Sequence, residues 1–211
     1  MDLSYLLANK VANFHTGEVD FSLLSKYKEL VRDNTYFDLI IESQYGGYFY
    51  GQALHIYGYS TLQTFHDVDF VNILLEKEYG NIFNELVAFG QDLFGNQFCF
   101  DKSNNGIILF NSETGEKESI AVDFATWIDV LDDQLEYLTG INVLESWLSR
   151  ANFEFGQRLC PKIPFIMGGE YNIDNLYAGL FPDYIKAYAN IAKQVYNLPD
   201  GTRVKLKVDK K

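Results

Sequence analysis

The chain has 211 residues, 47% of them hydrophobic and 16% aromatic, with only 4 prolines, which suits a packed core and argues against disorder. Its 29 acidic and 17 basic residues leave a formal net charge of −12, a surface that repels phosphate backbones and argues against nucleic-acid binding. No basic leader opens the sequence, no apolar run approaches the ~18 residues of a membrane span, and two cysteines, Cys99 and Cys160, are too few for a disulfide framework or zinc site, so a cytoplasmic protein without membrane association is expected.

Leu3 to Phe14 and Phe21 to Arg32 read as helices. Tyr36 to Gln44 reads as a third, stopped at Gly46-Gly47, where a left-handed residue suits a helix C-terminus. Tyr48 to Tyr57, aromatic and β-compatible, reads as a strand. Val68, Val71, Leu74 and Leu75 repeat at i, i+3, i+6 and i+7, which predicts a helix over Asp67 to Lys77. Leu86 to Phe89 is a short strand. In the stretch FDKSNNGIILFNSETGE that follows, Asp101, Ser103, Asn105 and Gly106 fit the first marks of a calcium-binding EF-hand loop. The twelfth position, where a bidentate Glu closes such a loop, is Ser112. Phe98 to Asp101 and Gly106 to Phe110 read instead as two strands around an Asn-Asn-Gly turn, with a third strand at Glu118 to Val122, giving a β-meander and no metal site.

Asp123 then serves as an N-cap. Phe124, Trp127, Ile128, Leu131, Leu135 and Leu138 form the apolar stripe of one amphipathic helix ended by Gly140. Asp129, Asp132, Asp133 and Glu136, at i, i+3, i+4 and i+7, make one acidic stripe on it. Val143 to Arg158 reads as another helix, broken by the run Leu159-Cys160-Pro161-Lys162-Ile163-Pro164. Pro182 opens a last helix with Ile185, Tyr188, Ala189, Ala192, Val195 and Tyr196 on its apolar face. Leu198-Pro199-Asp200-Gly201 turns the chain into a closing strand, Thr202 to Val208. The class is α+β: a central, mostly antiparallel sheet flanked by helices. Residues 1–140 form the core with its N-terminal helices, and 141–211 a helical extension ending in a strand and packed on the core as one domain.

Candidate chemistry is sparse. His15, His55 and His66 lack metal-ligand spacing, and no H-E-x-x-H, G-x-S-x-G, Walker A or dinucleotide motif occurs. Gly168-Gly169-Glu170 has no cation beside it to hold a phosphate. No catalytic residue and no cofactor are assigned. Carboxylate pairs in so acidic a chain say little about acid–base catalysis. The Asp129, Asp132, Asp133 and Glu136 stripe is either a solvated helix face or a docking strip for a basic partner.

The run "YFDLIIESQYGGYFYGQALHIYGYS", then "VNILLEKEYG", then "LVAFGQDLFGNQFCFDKSNNGIILFNSETGEKESIAVDFATWIDVL" resembles the SUKH superfamily. That group holds the fungal Smi/Knr-type regulators of cell-wall synthesis and many bacterial immunity proteins. The matching features are the Gly46-Gly47 pair after a helix, the aromatic segment behind it, and "AFGQDLFGNQFCFD" with Gly95. The hairpin with "SETGE" and the Phe124-x-x-Trp127 helix opening complete the match. It spans Tyr36 to Leu131; Tyr45 stands where the family usually has Asn, and the last seventy or so residues lie outside it. The resemblance implies an α+β fold without enzymatic activity, with Gly46, Gly47, Gly95 and Trp127 structural. It implies a protein partner, a cognate toxin domain bound and neutralised in competition between bacteria. The acidity independently suits a basic toxin such as a nuclease. The acidic stripe is the first candidate contact surface, and an aromatic cleft near Tyr45, Tyr48 and Asp92 the second. A regulatory scaffold of the fungal type, or a hydrolase with an unrecognised carboxylate site, are the alternative readings.

Overall fold

Six strands lie side by side in the order of the chain: β1 (Gly47–Phe49), β2 (Leu54–Ile56), β3 (Leu86–Gln91), β4 (Gln97–Asp101), β5 (Ile107–Phe110) and β6 (Lys117–Ala121). Every neighbouring pair is antiparallel. The computed structural model describes residues 3–11, 17–60, 62–199 and 201–207. Phe98 sits opposite Leu109 and Phe100 opposite Ile107, so these four side chains share one face while Cys99 and Ile108 point to the other.

The helices are α1 (Leu3–Ala8), α2 (Phe21–Leu30), α3 (Asn34–Glu42), α4 (Val68–Tyr79), α5 (Phe124–Asp133), α6 (Leu135–Thr139), α7 (Ile141–Leu148) and α8 (Asp183–Val195). Four begin on an aspartate whose carboxylate accepts from first-turn amides: Asp20, Asp33, Asp67 and Asp123. Helices α3 and α5 cover one face of the sheet through aromatic contacts. Trp127 meets Phe89 edge-on at 5.2 Å and Phe98 at 5.3 Å, and Tyr36 packs on Phe100 at 5.1 Å. Helix α4 covers the other face, with Tyr79 edge-on to Phe110 at 5.0 Å. Its Asn72 side chain bonds both the amide and the carbonyl of Ala88 at 2.8 Å, where the β3–β4 register shifts. Helix α8 packs beside α4.

The meander follows the sequence reading. Its first turn uses Asn105 at φ 60°, and Asp101 Oδ1 accepts from Ser103 N at 2.8 Å. Ser112 Oγ turns inward to donate to Gly95 O at 2.6 Å.

Five elements differ from expectation. Tyr48 to Tyr57 is a hairpin rather than one strand, because Tyr50, Gly51 and Gln52 all take left-handed φ and reverse the chain between β1 and β2. Helix α1 stops at Ala8, where Lys10 and Val11 begin pairing with Phe49 and Tyr48; Phe14 and His15 lie outside the described residues. The long helix after Asp123 is two, α5 and α6, broken at Gln134 with φ −126°. Helix α7 ends at Leu148, and Gln157–Pro161 is strand β7, paired antiparallel with β8 (Leu176–Leu180) in a second sheet. Arg158, Leu159, Cys160 and Pro161 are all buried, and so short a continuously buried run carries no period to separate strand from helix. Residues 202–207 form no strand, since the Lys207 backbone bonds the Gln194 side chain instead. Asp200 and Val208 lie outside the described residues.

Leu159, Cys160, Leu176, Tyr184, Ile185 and Tyr188 join the same apolar cluster as the six-stranded sheet. Trp127 is fully buried at the centre of the α5 contact. Trp127→Ala should therefore cost about 3–5 kcal/mol, as aromatic truncations in packed cores do. Denaturant unfolding measures it; a loss under about 1 kcal/mol would mean the site relaxes around the missing ring.

Candidate functional site

The turn between β3 and β4 fixes one edge of the site. Asp92 Oδ1 accepts from Phe94 N at 2.9 Å and Asn96 N at 2.8 Å, and its Oδ2 accepts from Asn96 Nδ2 at 2.8 Å. Gly95 closes the turn at φ +83°, where a Cβ would stand 3.1 Å from the Tyr184 ring. Burial raises the Asp92 carboxyl to about 6, although the Asn96 and Phe94 donors and the Arg158 charge oppose the shift.

Behind this turn lies a buried polar network. Tyr48 stacks on His55 with ring centres 4.1 Å apart, and its hydroxyl accepts from Gly156 N at 2.9 Å. His55 contacts Gln91 at 3.2 Å and His66 at 3.1 Å, and Tyr184 donates to Gln91 Oε1 at 2.8 Å. Burial holds both imidazoles neutral, His55 well below its ordinary value and His66 at about 3. Tyr48 and Asp92 are thus largely interior, 0% and 4% exposed; Asp92 nonetheless lines the groove on the outer side of its turn, and Tyr48 does not. Tyr45 is half-buried, edge-on to Phe21 at 6.2 Å. Gly46, at φ +91°, could not carry a Cβ, which would stand 2.8 Å from the Ile56 carbonyl oxygen.

The open concavity lies on the outer side of the Asp92 turn, a groove of about 820 Å³. Glu116 stands just before β6 and Glu118 within it, Glu136 and Tyr137 come from α6, Asn142 from α7, and Tyr171 from the loop between β7 and β8. Tyr137 and Tyr171 are 67% and 64% exposed, large aromatic surfaces left to solvent at its rim. The single cation among the lining residues, Lys117, donates its ammonium to Asn84 O at 2.9 Å. It alternates with Glu118 along β6, so its side chain leaves by the opposite face. Four carboxylates, the mostly buried Asp92 and Glu116, Glu118 and Glu136, therefore line the groove with two exposed tyrosines, and its one lysine is turned away.

Of the four stripe carboxylates, only Glu136 reaches this groove. Asp129, Asp132 and Asp133 are exposed on α5, and the break at Gln134 puts Glu136 on a separate helix. The sequence reading missed Glu116, Glu118, Tyr137 and Tyr171. For Tyr137 a signal was present, because it falls off the apolar stripe between Glu136 and Leu138 and so points outward. Among the described residues no three His, Cys, Asp or Glu side chains are grouped to hold a metal, and no helix is long and apolar enough to cross a membrane.

The family model described as SMI1 / KNR4 family (SUKH-1) matches residues 17–130. The crystal structure of Atu4351 from Agrobacterium tumefaciens shares the fold, with a TM-score of 0.56, 14% identity and 83% of each chain covered. No curated protein matches the chain.

Asp92 generates a pH prediction. Its folded-state value of about 6 exceeds the ordinary 3.8, so the fold holds this proton more tightly than the unfolded chain does between those values. The associated stability is present at low pH and is lost as pH rises through that window. Asp92→Asn keeps an accepting oxygen for the Phe94 and Asn96 amides without a charge. It should gain on the wild type by up to about 3 kcal/mol between pH 4 and pH 7, at ~1.4 kcal/mol per unit. Paired denaturant melts at the two pH values test this; a constant difference would mean that Asp92 titrates as an exposed carboxyl.

Proposed function

The chain belongs to the SMI1/KNR4 family (SUKH-1), and from that premise we propose that it is a non-enzymatic immunity protein that binds and neutralises a cognate toxin domain with a basic surface. At the level of the family the role is immunity or regulation, and members are generally without enzymatic activity. The observation that carries the narrower reading is the groove, in which Glu116, Glu118 and Glu136 converge beside Tyr137 and Tyr171.

The net charge of −12 draws a basic partner in from a distance, and the groove carboxylates orient it at close range. Tyr137 and Tyr171 then bury apolar area at little conformational cost, as interface tyrosines do. If the partner is a nuclease, this surface occupies the cationic groove that phosphate needs. The remaining carboxylates, Asp129, Asp132 and Asp133, act at longer range as part of the same field. A regulatory scaffold calls for several partners, whereas here one groove brings the two most exposed tyrosines together with three glutamates. We also propose that residues 141–211 act with 1–140 as one domain, since Asn142 and Tyr171 complete a groove begun by β6 and α6. The protein acts in the cytoplasm, where a toxin would reach its target.

Replacing Glu116, Glu118 and Glu136 together by Gln should leave the fold intact. It should slow association with the toxin by about tenfold at low salt and by less at high salt, and should weaken protection in a co-expression rescue assay. Tyr137→Ala should mainly speed dissociation. The Asp129, Asp132 and Asp133 triple Asn variant, made as a control, should show the smaller effect. Full protection and unchanged rates in the groove variants, with loss in the α5 control, would move the contact surface to α5.

A further inference from the structure

Beside the groove lies a smaller cavity of about 240 Å³, and the two share Phe94, Asn96, Asn111 and Tyr171. Its remaining lining includes Glu113, Phe165 and Tyr188, and no lysine, arginine or histidine. Glu113 is only 5% exposed. Its Oε1 accepts from Ile166 N at 2.6 Å, while Oε2 has no hydrogen-bond partner. An orphan carboxylate oxygen in the interior is costly, and the usual remedies are a donor or a counter-ion. Burial raises the Glu113 carboxyl above its ordinary value, against the Ile166 and Phe165 amides, which favour the charged form.

The wall beside it is aromatic. Phe165 and Tyr171 stack in parallel with centres 3.8 Å apart, and Phe94 meets them edge-on at 6.0 Å and 5.8 Å. Ring faces attract cations, and a carboxylate next to them strengthens the attraction. The negative field extends further, since Glu113 and Asp92 both raise the Tyr171 phenol, after burial itself. The volume lies below the ~300 Å³ at which cofactor and drug-sized pockets begin, and suits one side chain.

We propose that this cavity is a socket for one cationic side chain of the protein partner, a lysine ammonium or an arginine guanidinium, seated between Glu113 and the Phe165–Tyr171 wall. The proposal rests on the binding reading above and names the chemistry its partner must present. Oε2 is itself covered, so the incoming cation displaces part of the wall, which belongs to the loop between β7 and β8. An anionic group is repelled by the carboxylate, and a neutral one lacks the charge attraction that the carboxylate and the ring faces together offer a cation.

The test uses small probes on the whole protein. N-acetyl-lysine methylamide, N-acetyl-arginine methylamide and the neutral N-acetyl-norleucine methylamide are titrated while backbone amide resonances are followed by NMR. The cationic probes should shift Phe165, Ile166 and Tyr171 saturably with dissociation constants on the order of millimolar. Norleucine should bind at least about tenfold more weakly, and Glu113→Gln, whose amide oxygen still accepts from Ile166, should lower lysine and arginine affinity by a similar factor. Equal binding of norleucine, no saturable shift, or undiminished affinity in Glu113→Gln each overturns the socket. The norleucine comparison decides the matter on the wild type even if the variant fails to fold. Because the probes contain no toxin, a failed titration leaves the toxin-binding reading standing, and a failed rescue assay leaves the socket standing.

Discussion

Arg158 projects from β7 toward the ring of Tyr48 on β1, 5.4 Å away, and is fully buried. Among the described residues it makes no ion pair, and its Nε and Nη2 make no well-formed hydrogen bond, although the Tyr48 hydroxyl is near enough for the guanidinium to favour the ionised form of that phenol. A charge so placed costs several kcal/mol unless its surroundings are arranged for it. Here Gln157 O accepts from Nη1 at 2.7 Å, the Tyr48 ring offers its face, and the ionised form of Asp92 is favoured by the guanidinium. The two histidines next to it stay neutral, so the network holds one positive charge rather than three.

The polar network around that charge joins parts of the chain far apart in sequence. Gly156 N bonds Tyr48, 108 residues away, and Tyr184 bonds Gln91, 93 residues away. Moving β7 off the sheet would expose Arg158 and take from Tyr48 both the Gly156 amide and the guanidinium that meet it. The network thereby holds the β7–β8 pair in place, and with it the loop that carries Phe165 and Tyr171. The same network backs the Asp92 turn, which supports Phe94 from below. The groove is in this sense a surface consequence of interior polar chemistry: one wall belongs to the meander and α6, the other to the loop that β7 anchors.

The meander, the Asp123 cap and the amphipathic α5 were legible because each is set by neighbours in sequence: an Asn-Asn-Gly turn, Asp123, an apolar stripe. What failed needed distant partners. Tyr48 and Asp92 look like surface residues in isolation, and only Gly156, Arg158 and Asn96 explain their burial. The β1–β2 reversal uses Tyr50 and Gln52 at positive φ beside Gly51, a conformation non-glycine residues rarely signal. The break at Gln134 has neither Gly nor Pro, so the acidic stripe read as one face although Glu136 turns toward the groove. The matched family segment ends at residue 130, before α6, α7 and Tyr171, which is why the groove's outer wall had no counterpart in the resemblance.

The account turns on the groove being the surface that meets the partner. Amide hydrogen exchange of the free protein and of its complex with the proposed toxin partner addresses this directly. The account predicts slowed exchange at the start of β6, across α6 into α7, and in the loop carrying Phe165 and Tyr171, with the buried strands unchanged. Protection confined to α1, α2 or the outer face of α5, with the groove exchanging as in the free protein, would contradict it.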